Sequence, residues 1–304
     1  MASLAELRSR PWVPRLLFVV WVLLTLVALA FLLVVVQGAM THPDWVGYDA
    51  HAYWGYPREP LYGEPGVSVA GIDLYRYSPA FVPLMTLFTA LPWPVFVACW
   101  VGLLFVTYVW LVGPWWLPLL AFAPFLIELR MANVHLLLAA AIVLGFRWPA
   151  AWSFVLLTKV APGVGLLWFA VRREWRSLYI ALGATAAIVG VSFVLAPQDW
   201  VDWCVSLART TQDDPPLSIH VPLLGRLAVA ALLVVWGART NRRWTVMVAA
   251  TISLPTLWVH GFAMLAGVIA LQRGLPEARS FAWLERWLRW RPGRMSQVEG
   301  PAGA

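Results

Sequence analysis

Lysine is almost missing from this chain. Of its 22 basic residues every one but Lys159 is an arginine, and Lys159 stands alone in the apolar stretch LLTKVAPG. Charge of either sign is scarce, at 12% of residues, where a soluble chain carries about 25%. The two cysteines, Cys99 and Cys204, lie in or beside apolar runs, which excludes a disulfide framework and a cysteine metal cluster. There is no HExxH, CxxC or DxD triplet to ask for a metal, and no P-loop or GxGxxG to ask for a nucleotide cofactor. Neither a soluble domain nor an internal repeat is visible.

The chain is instead rich in apolar surface. It is 61% hydrophobic over 304 residues, with 21 tryptophans and a mean hydropathy of +0.73. That excess cannot face water, so the expected fold is an all-α, polytopic integral membrane protein. The uncharged run from Leu16 to Val36 is long enough to span and has no small-residue cleavage site, so it reads as a retained first helix.

The distribution of charge suggests an orientation. Arginines cluster at Arg8, Arg10 and Arg15, at Arg172, Arg173 and Arg176, at Arg239, Arg242 and Arg243, and from Arg273 to Arg294. Acids cluster elsewhere: Asp44, Asp49, Glu59, Glu64 and Asp73 in one loop, and Asp199, Asp202, Asp213 and Asp214 in another. Basic loops stay cytoplasmic, so the acidic loops are expected outside and both termini inside. Because the basic clusters alternate with apolar runs instead of forming one patch, nucleic acid is not an expected partner. About ten spans fit this scheme, at roughly 16–39, 79–91, 94–112, 115–128, 133–146, 149–171, 177–196, 221–237, 244–258 and 260–272. Those near 79–91, 115–128 and 133–146 are short, as broken or re-entrant segments would be. Residues 1–272 then form one transmembrane domain with outer loops at about 40–78 and 197–220. The remainder, 273–304, is a basic tail whose Phe281, Trp283, Leu284, Trp287 and Leu288 suit an interfacial helix.

Polar chemistry gathers at few places. GYDAHAYW in the first outer loop sets Asp49 among Tyr48, His51, Tyr53 and Trp54, ring faces and donors suited to a sugar or lipid headgroup. LYRYSPAF adds Tyr75 and Tyr77 around Arg76, a candidate phosphate contact. A surface acid and an aromatic membrane belt are the plainer readings of these residues. Lys159 lies mid-span in the predicted scheme, where a cation costs a few kcal/mol and marks function unless it snorkels or pairs with Glu128. In IELRMANVH, Glu128, Arg130, Asn133 and His135 either face the cytoplasm as loop residues or line a cavity. His42, His51, His220 and His260 fall on the outer side of the predicted scheme, and only His135 does not.

The order of these segments resembles glycosyltransferase family 87. GYDAHAYW is followed by Leu61–Tyr62, then YRYSPAF, then Lys-x-x-Pro at Lys159–Pro162, then PTLWVH at Pro255–His260. The resemblance runs from about residue 16 to 272. It extends to the polyprenyl-phosphate-mannose-dependent mannosyltransferases of actinobacteria, which these segments also resemble, and implies a GT-C fold. It implies a catalytic base at Asp49 and site roles for Tyr75, Tyr77, Lys159, Trp258 and His260. The family's Gly-Gln-x-Asn segment reads Ala132, Asn133, Val134, His135 here, and its Asn-x-Ser segment leaves Ser218 and His220.

The expected function is transfer of a sugar, most simply mannose, from a polyprenyl-phosphate donor to a lipid or glycan acceptor outside the cell membrane. Asp49 takes the acceptor proton, Arg76 and Lys159 steady the phosphate, and His260 orients it or shares the base role. The lipid-linked sugar is a co-substrate, and no metal or other cofactor is expected. A transporter or flippase of a lipid-linked sugar is the alternative, and a scaffold would leave Asp49 and Lys159 without a purpose.

Overall fold

The computed structural model describes residues 12–43, 46–55, 61–62, 75–209 and 221–274. His220, Asp44, most of the first outer loop and the tail beyond Gly274 lie outside the described residues. Every element within them is helical, and no strand occurs among them. α1 is Trp12–Thr41, the short α2 is Tyr48–Trp54, α3 is Val82–Thr89 and α4 is Trp93–Val112. A 3-10 turn leads to α5, Trp116–Leu119, then α6, Ala123–Met131, and α7, His135–Gly145. α8 is Trp152–Thr158, α9 is Leu167–Val171, α10 is Trp175–Leu195 and α11 is Pro197–Arg209. α12 is Leu223–Arg239, α13 is Trp244–Ile252 and α14 is Ala266–Gln272.

Among the described residues, three helical stretches are long and apolar enough to cross a membrane: Arg15–Thr41, Trp93–Leu119 and Trp175–Leu195. The pair α6 and α7, bent by 108° at its break, makes a fourth if counted as one span. In the first and third, only 6% and 11% of the most apolar window is buried. Leu33, Val34, Val191 and Val194 point outward in a surface that water would not tolerate at this extent.

Contacts at the helix ends define two poles. At one, α2 docks beside α4: His51 meets Trp93 edge-on, and the Trp54 indole N–H donates to the Leu91 carbonyl at 2.7 Å. At the other, Arg172 donates to the Ala238 carbonyl at 3.1 Å and Arg273 to the Leu111 carbonyl at 3.3 Å. Arg243 lies over Phe146 there. The described arginine clusters thus gather at the pole opposite Asp49. Asp199 and Asp202, on α11, lie at the Asp49 pole, where the Trp203 N–H reaches the Arg76 carbonyl at 3.4 Å.

Two expected spans take a different path from a single straight crossing, and of these 79–91 already read as short enough to be broken or re-entrant. The segment 79–91 starts beside Tyr53, whose ring meets Phe81, and ends at Leu91 beside Trp54, so both of its ends lie at the Asp49 pole. The segment 149–171 is not one helix but two legs meeting at Lys159, whose backbone is extended at φ −143° and ψ 106°. Pro162 contributes to the interruption, since it has no N–H to offer the Thr158 carbonyl four residues back and its ring crowds that carbonyl in a continuous helix. One leg is lost and one gained, so the described chain still begins and ends at the arginine pole.

The last legs are tied together by an arginine that the sequence reading passed over. Arg226, 8% exposed in α12, donates to the carbonyls of Val221, Ile252, Leu254 and Pro255 at 2.6–2.9 Å. The carbonyls of Ile252, Leu254 and Pro255 close the end of α13 and begin the irregular stretch that carries His260. Arg226→Leu leaves them without those donors and is expected to cost on the order of 3 kcal/mol. A lowered thermal midpoint in detergent checks this, and an unchanged midpoint rejects the clasp.

Candidate active site

The site forms where three interrupted helices and α2 meet. α2 begins at Gly47, whose φ of +75° is left-handed; a Cβ there would stand 2.6 Å from Val97. The Gly47 N–H donates to the Arg130 carbonyl at 2.8 Å, fixing α2 to the end of α6. Asp49 and Tyr53, four residues apart, share one face of α2. His51 lies on another face, packed between Trp54 and Trp93, away from the polar cluster.

The α6–α7 break brings Asn133 and His135 to Asp49. Ala132 turns left-handed at φ +57°, a conformation that a glycine adopts more easily. Its carbonyl accepts the Trp100 indole N–H at 2.9 Å. The Asn133 carbonyl oxygen accepts the Val134 N–H at 2.7 Å, which aims the amide nitrogen at Asp49, 2.7 Å away. Of the two placements that the sequence left open for this turn, the contacts correspond to the one beside the cavity, on the side of Asp49. Segment length and hydropathy do not reveal a 108° bend.

His135 connects the rest. Its Nδ1 lies 2.9 Å from Glu128 Oε2 and its Nε2 lies 2.8 Å from Lys159 Nζ. Lys159 is thus at the tip between two legs instead of mid-span, and its link to Glu128 runs through His135. His260, on the 3-10 turn Val259–Leu265, places Nε2 3.3 Å from Asp49 Oδ2. That nitrogen is buried and makes no hydrogen bond, because the approach to Asp49 is poorly aligned. The His260 ring stacks on Trp258 and stands 5.2 Å from the His135 ring.

The tyrosines serve as scaffold beneath the cluster. Tyr53 and Tyr77 share a hydroxyl–hydroxyl bond of 2.8 Å, and the Tyr62 hydroxyl donates to the Tyr77 carbonyl at 2.8 Å. The Tyr75 hydroxyl donates to the Ser78 carbonyl at 3.3 Å, and Ser78 Oγ to the Leu157 carbonyl at 2.6 Å. The segment YRYSP thereby clips α2 to the helix end that presents Lys159. Arg76 is exposed, and Tyr48 is half-buried.

Asp49 alone among the acids of the cluster reaches solvent, with 25% of its side chain exposed. Burial by itself would raise its pKa. The nearby His260, the Asn133 amide and the Lys159 charge outweigh that and hold the carboxyl below its ordinary 3.8. Glu128, His135 and His260 bring possible ligand atoms within 4.8 Å of one another. Their chemistry fits a cation poorly, since His135 already engages Glu128 on one nitrogen and the Lys159 amine on the other. Glu128 belongs to the cluster through His135; the sequence offered it as a partner for Lys159, a loop residue or a cavity-lining one.

No family model, no curated protein and no solved structure matches this chain.

The depressed Asp49 pKa has a definite sign. Its ionised form adds stability above the ordinary value, and that contribution is lost as pH falls through the lower folded value. In isotope-edited infrared spectra, differenced against Asp49→Asn, the Asp49 carboxylate is expected to persist below pH 3.8. Asn133→Leu is expected to move the titration upward. An Asp49 that titrates above 3.8 in the unaltered protein contradicts the assigned balance of forces.

Proposed function

We propose that this chain is a multi-pass membrane glycosyltransferase of GT-C type, resembling family 87, that takes mannose from a polyprenyl phosphate. In this reading ten legs, several of them shorter than a bilayer is thick, run between the two poles, the arginine pole with both termini is cytoplasmic, and the Asp49 pole is extracytoplasmic. The observation that carries the reading is the convergence, at one pole of an apolar bundle, of a half-open carboxylate, a lysine and an unpartnered histidine nitrogen. Each has a task in the transfer. The acceptor hydroxyl oxygen attacks the anomeric carbon as the bond from that carbon to the phosphate oxygen breaks. Asp49 accepts the hydroxyl proton, and the polyprenyl phosphate leaves with the bonding electrons. The Lys159 ammonium, the exposed Arg76 and His260 Nε2 meet the charge that develops on the phosphate. Inversion at the anomeric carbon follows from a single displacement. Lipid-facing helices supply a path for the polyprenyl tail.

The three helix interruptions around the site also favour a second reading, a transporter or flippase of a lipid-linked sugar, since broken helices form transport sites too. Asp49→Asn separates the two. It keeps the size of the side chain but removes the base, and sugar transfer by the purified protein is expected to fall by roughly 10²–10⁴-fold. Asp202→Asn, at a site where Asp202 accepts a bond from exposed Gln198, is expected to be mild. Transfer by Asp49→Asn at the unaltered rate removes Asp49 from catalysis. Movement of a lipid-linked sugar across vesicles with no transfer establishes the transporter.

Sidedness is tested separately in a chain with Cys99 and Cys204 replaced by serine. Val221→Cys, exposed near Arg226, is expected to react with an impermeant maleimide on intact cells. Thr240→Cys, exposed beside the arginine cluster, should react only after permeabilisation. The reverse pattern would put the site in the cytoplasm.

A further inference from the structure

Glu128 is the one acid of the cluster that no solvent reaches, with an exposure of 0%. Both of its oxygens are engaged by His135: Oε1 accepts the backbone N–H at 2.8 Å, and Oε2 faces Nδ1 at 2.9 Å. His135 opens α7, so its N–H is one of the amides that a helix start leaves without an intrahelical partner. A carboxylate is well placed against that end of the helix dipole.

The protons can be assigned from these contacts. With Lys159 as an ammonium, which donates and never accepts, His135 Nε2, 2.8 Å from Lys159 Nζ, carries no proton. The neutral ring must then carry its proton on Nδ1, and Glu128 Oε2 accepts it. With Glu128 ionised and Lys159 charged, every donor in the row meets an acceptor. One ammonium proton is held by His135, leaving two free to turn toward the opening where Asp49 and His260 stand.

We propose that Glu128 is a positioning residue for Lys159, acting through His135, and that it aims the ammonium at the phosphate of a polyprenyl-phosphate ligand. This rests on the reading of Lys159 as a phosphate contact. Glu128 touches no substrate itself. It holds the ring in one tautomer and one orientation, as the second partner of a functional histidine does elsewhere. An amide in its place cannot do this. Glutamine has one acceptor oxygen, so one of the two His135 donors would face an NH₂ group. The ring could avoid that clash by moving its proton to Nε2, which would then point at the ammonium.

The test is equilibrium binding of polyprenyl phosphate, without sugar, to the purified full chain in detergent. The four proteins are the unaltered chain, Glu128→Gln, Lys159→Met and the double variant. Loss of a charge-assisted bond predicts that Glu128→Gln weakens binding about tenfold. Lys159→Met is expected to weaken it at least as much, and the double variant no further than Lys159→Met alone. A merely structural role would instead make the two losses additive, and that result overturns the proposal. Binding by Glu128→Gln equal to that of the unaltered chain overturns it as well. Should Glu128→Gln fail to fold, ¹⁵N-histidine spectra of the unaltered chain decide. A proton on Nδ1 and none on Nε2 of His135 supports the proposal, and the opposite tautomer or an imidazolium rejects it. If the unaltered chain binds no polyprenyl phosphate, the phosphate reading of Lys159 fails and the proposal falls with it. Tight binding with an additive cycle removes only the role of Glu128.

Discussion

A helix that breaks inside an apolar bundle exposes backbone N–H and C=O groups that hydrocarbon cannot satisfy. That constraint governs this structure, because its polar chemistry sits at three such breaks. At the α6–α7 break, Trp100 caps the Ala132 carbonyl, Asn133 takes the Val134 N–H and Glu128 takes the His135 N–H. Before Lys159, Ser78 caps the Leu157 carbonyl. Beyond α13, Arg226 collects the Ile252, Leu254 and Pro255 carbonyls. Asn133 and Glu128, which stand out in the sequence as polar residues near helix ends, thus repair the broken backbone together with Trp100, Ser78 and Arg226, which do not.

The repairs and the candidate chemistry are linked. Asn133 satisfies Val134 with its oxygen and so turns its nitrogen toward Asp49. Glu128 satisfies the start of α7 and in the same contact sets the His135 ring against Lys159. Ser78 ends a row of buried tyrosines that begins on the α2 face carrying Asp49. Moving any of these groups would displace both a backbone cap and a member of the cluster. His260 Nε2 stands apart as a buried polar atom with no hydrogen bond, next to the most exposed carboxylate of the site. A buried unpartnered polar atom is costly, and the cost is accounted for if a ligand supplies the missing partner.

Asp49 and Lys159 could be singled out from the sequence because each breaks the local pattern: an acid among aromatics after a long apolar run, and a lone lysine in an apolar stretch. Asn133, His135 and His260 were legible as polar residues near predicted helix ends. The side on which Asn133 and His135 lie was left open, because short segments such as α6 and α7, of 9 and 11 residues, fit either two crossings or one broken, re-entrant pair. Arg226 was hidden by the opposite ambiguity, since a single arginine inside an apolar run does not reveal whether it meets an acid, a headgroup or carbonyls. The tyrosines at positions 53, 75 and 77 matched a ligand-facing pattern but are used by the protein for its own hydrogen bonds.

By itself the sequence determined that the fold is helical and apolar-faced, that arginines and acids separate to opposite ends, and which few side chains carry chemistry. Those properties depend on composition and on neighbours along the chain. Only the tertiary structure decided that 79–91 stays at one pole, that 149–171 turns back at Lys159, and that Glu128, His135 and Lys159 stand in one row beneath Asp49. The reason is physical. A reversal inside a bundle depends on whether distant side chains, such as Ser78 for Leu157 or Arg226 for Ile252, arrive to satisfy the broken backbone. Partners separated by 79 and 26 residues leave no periodic trace in the chain that joins them.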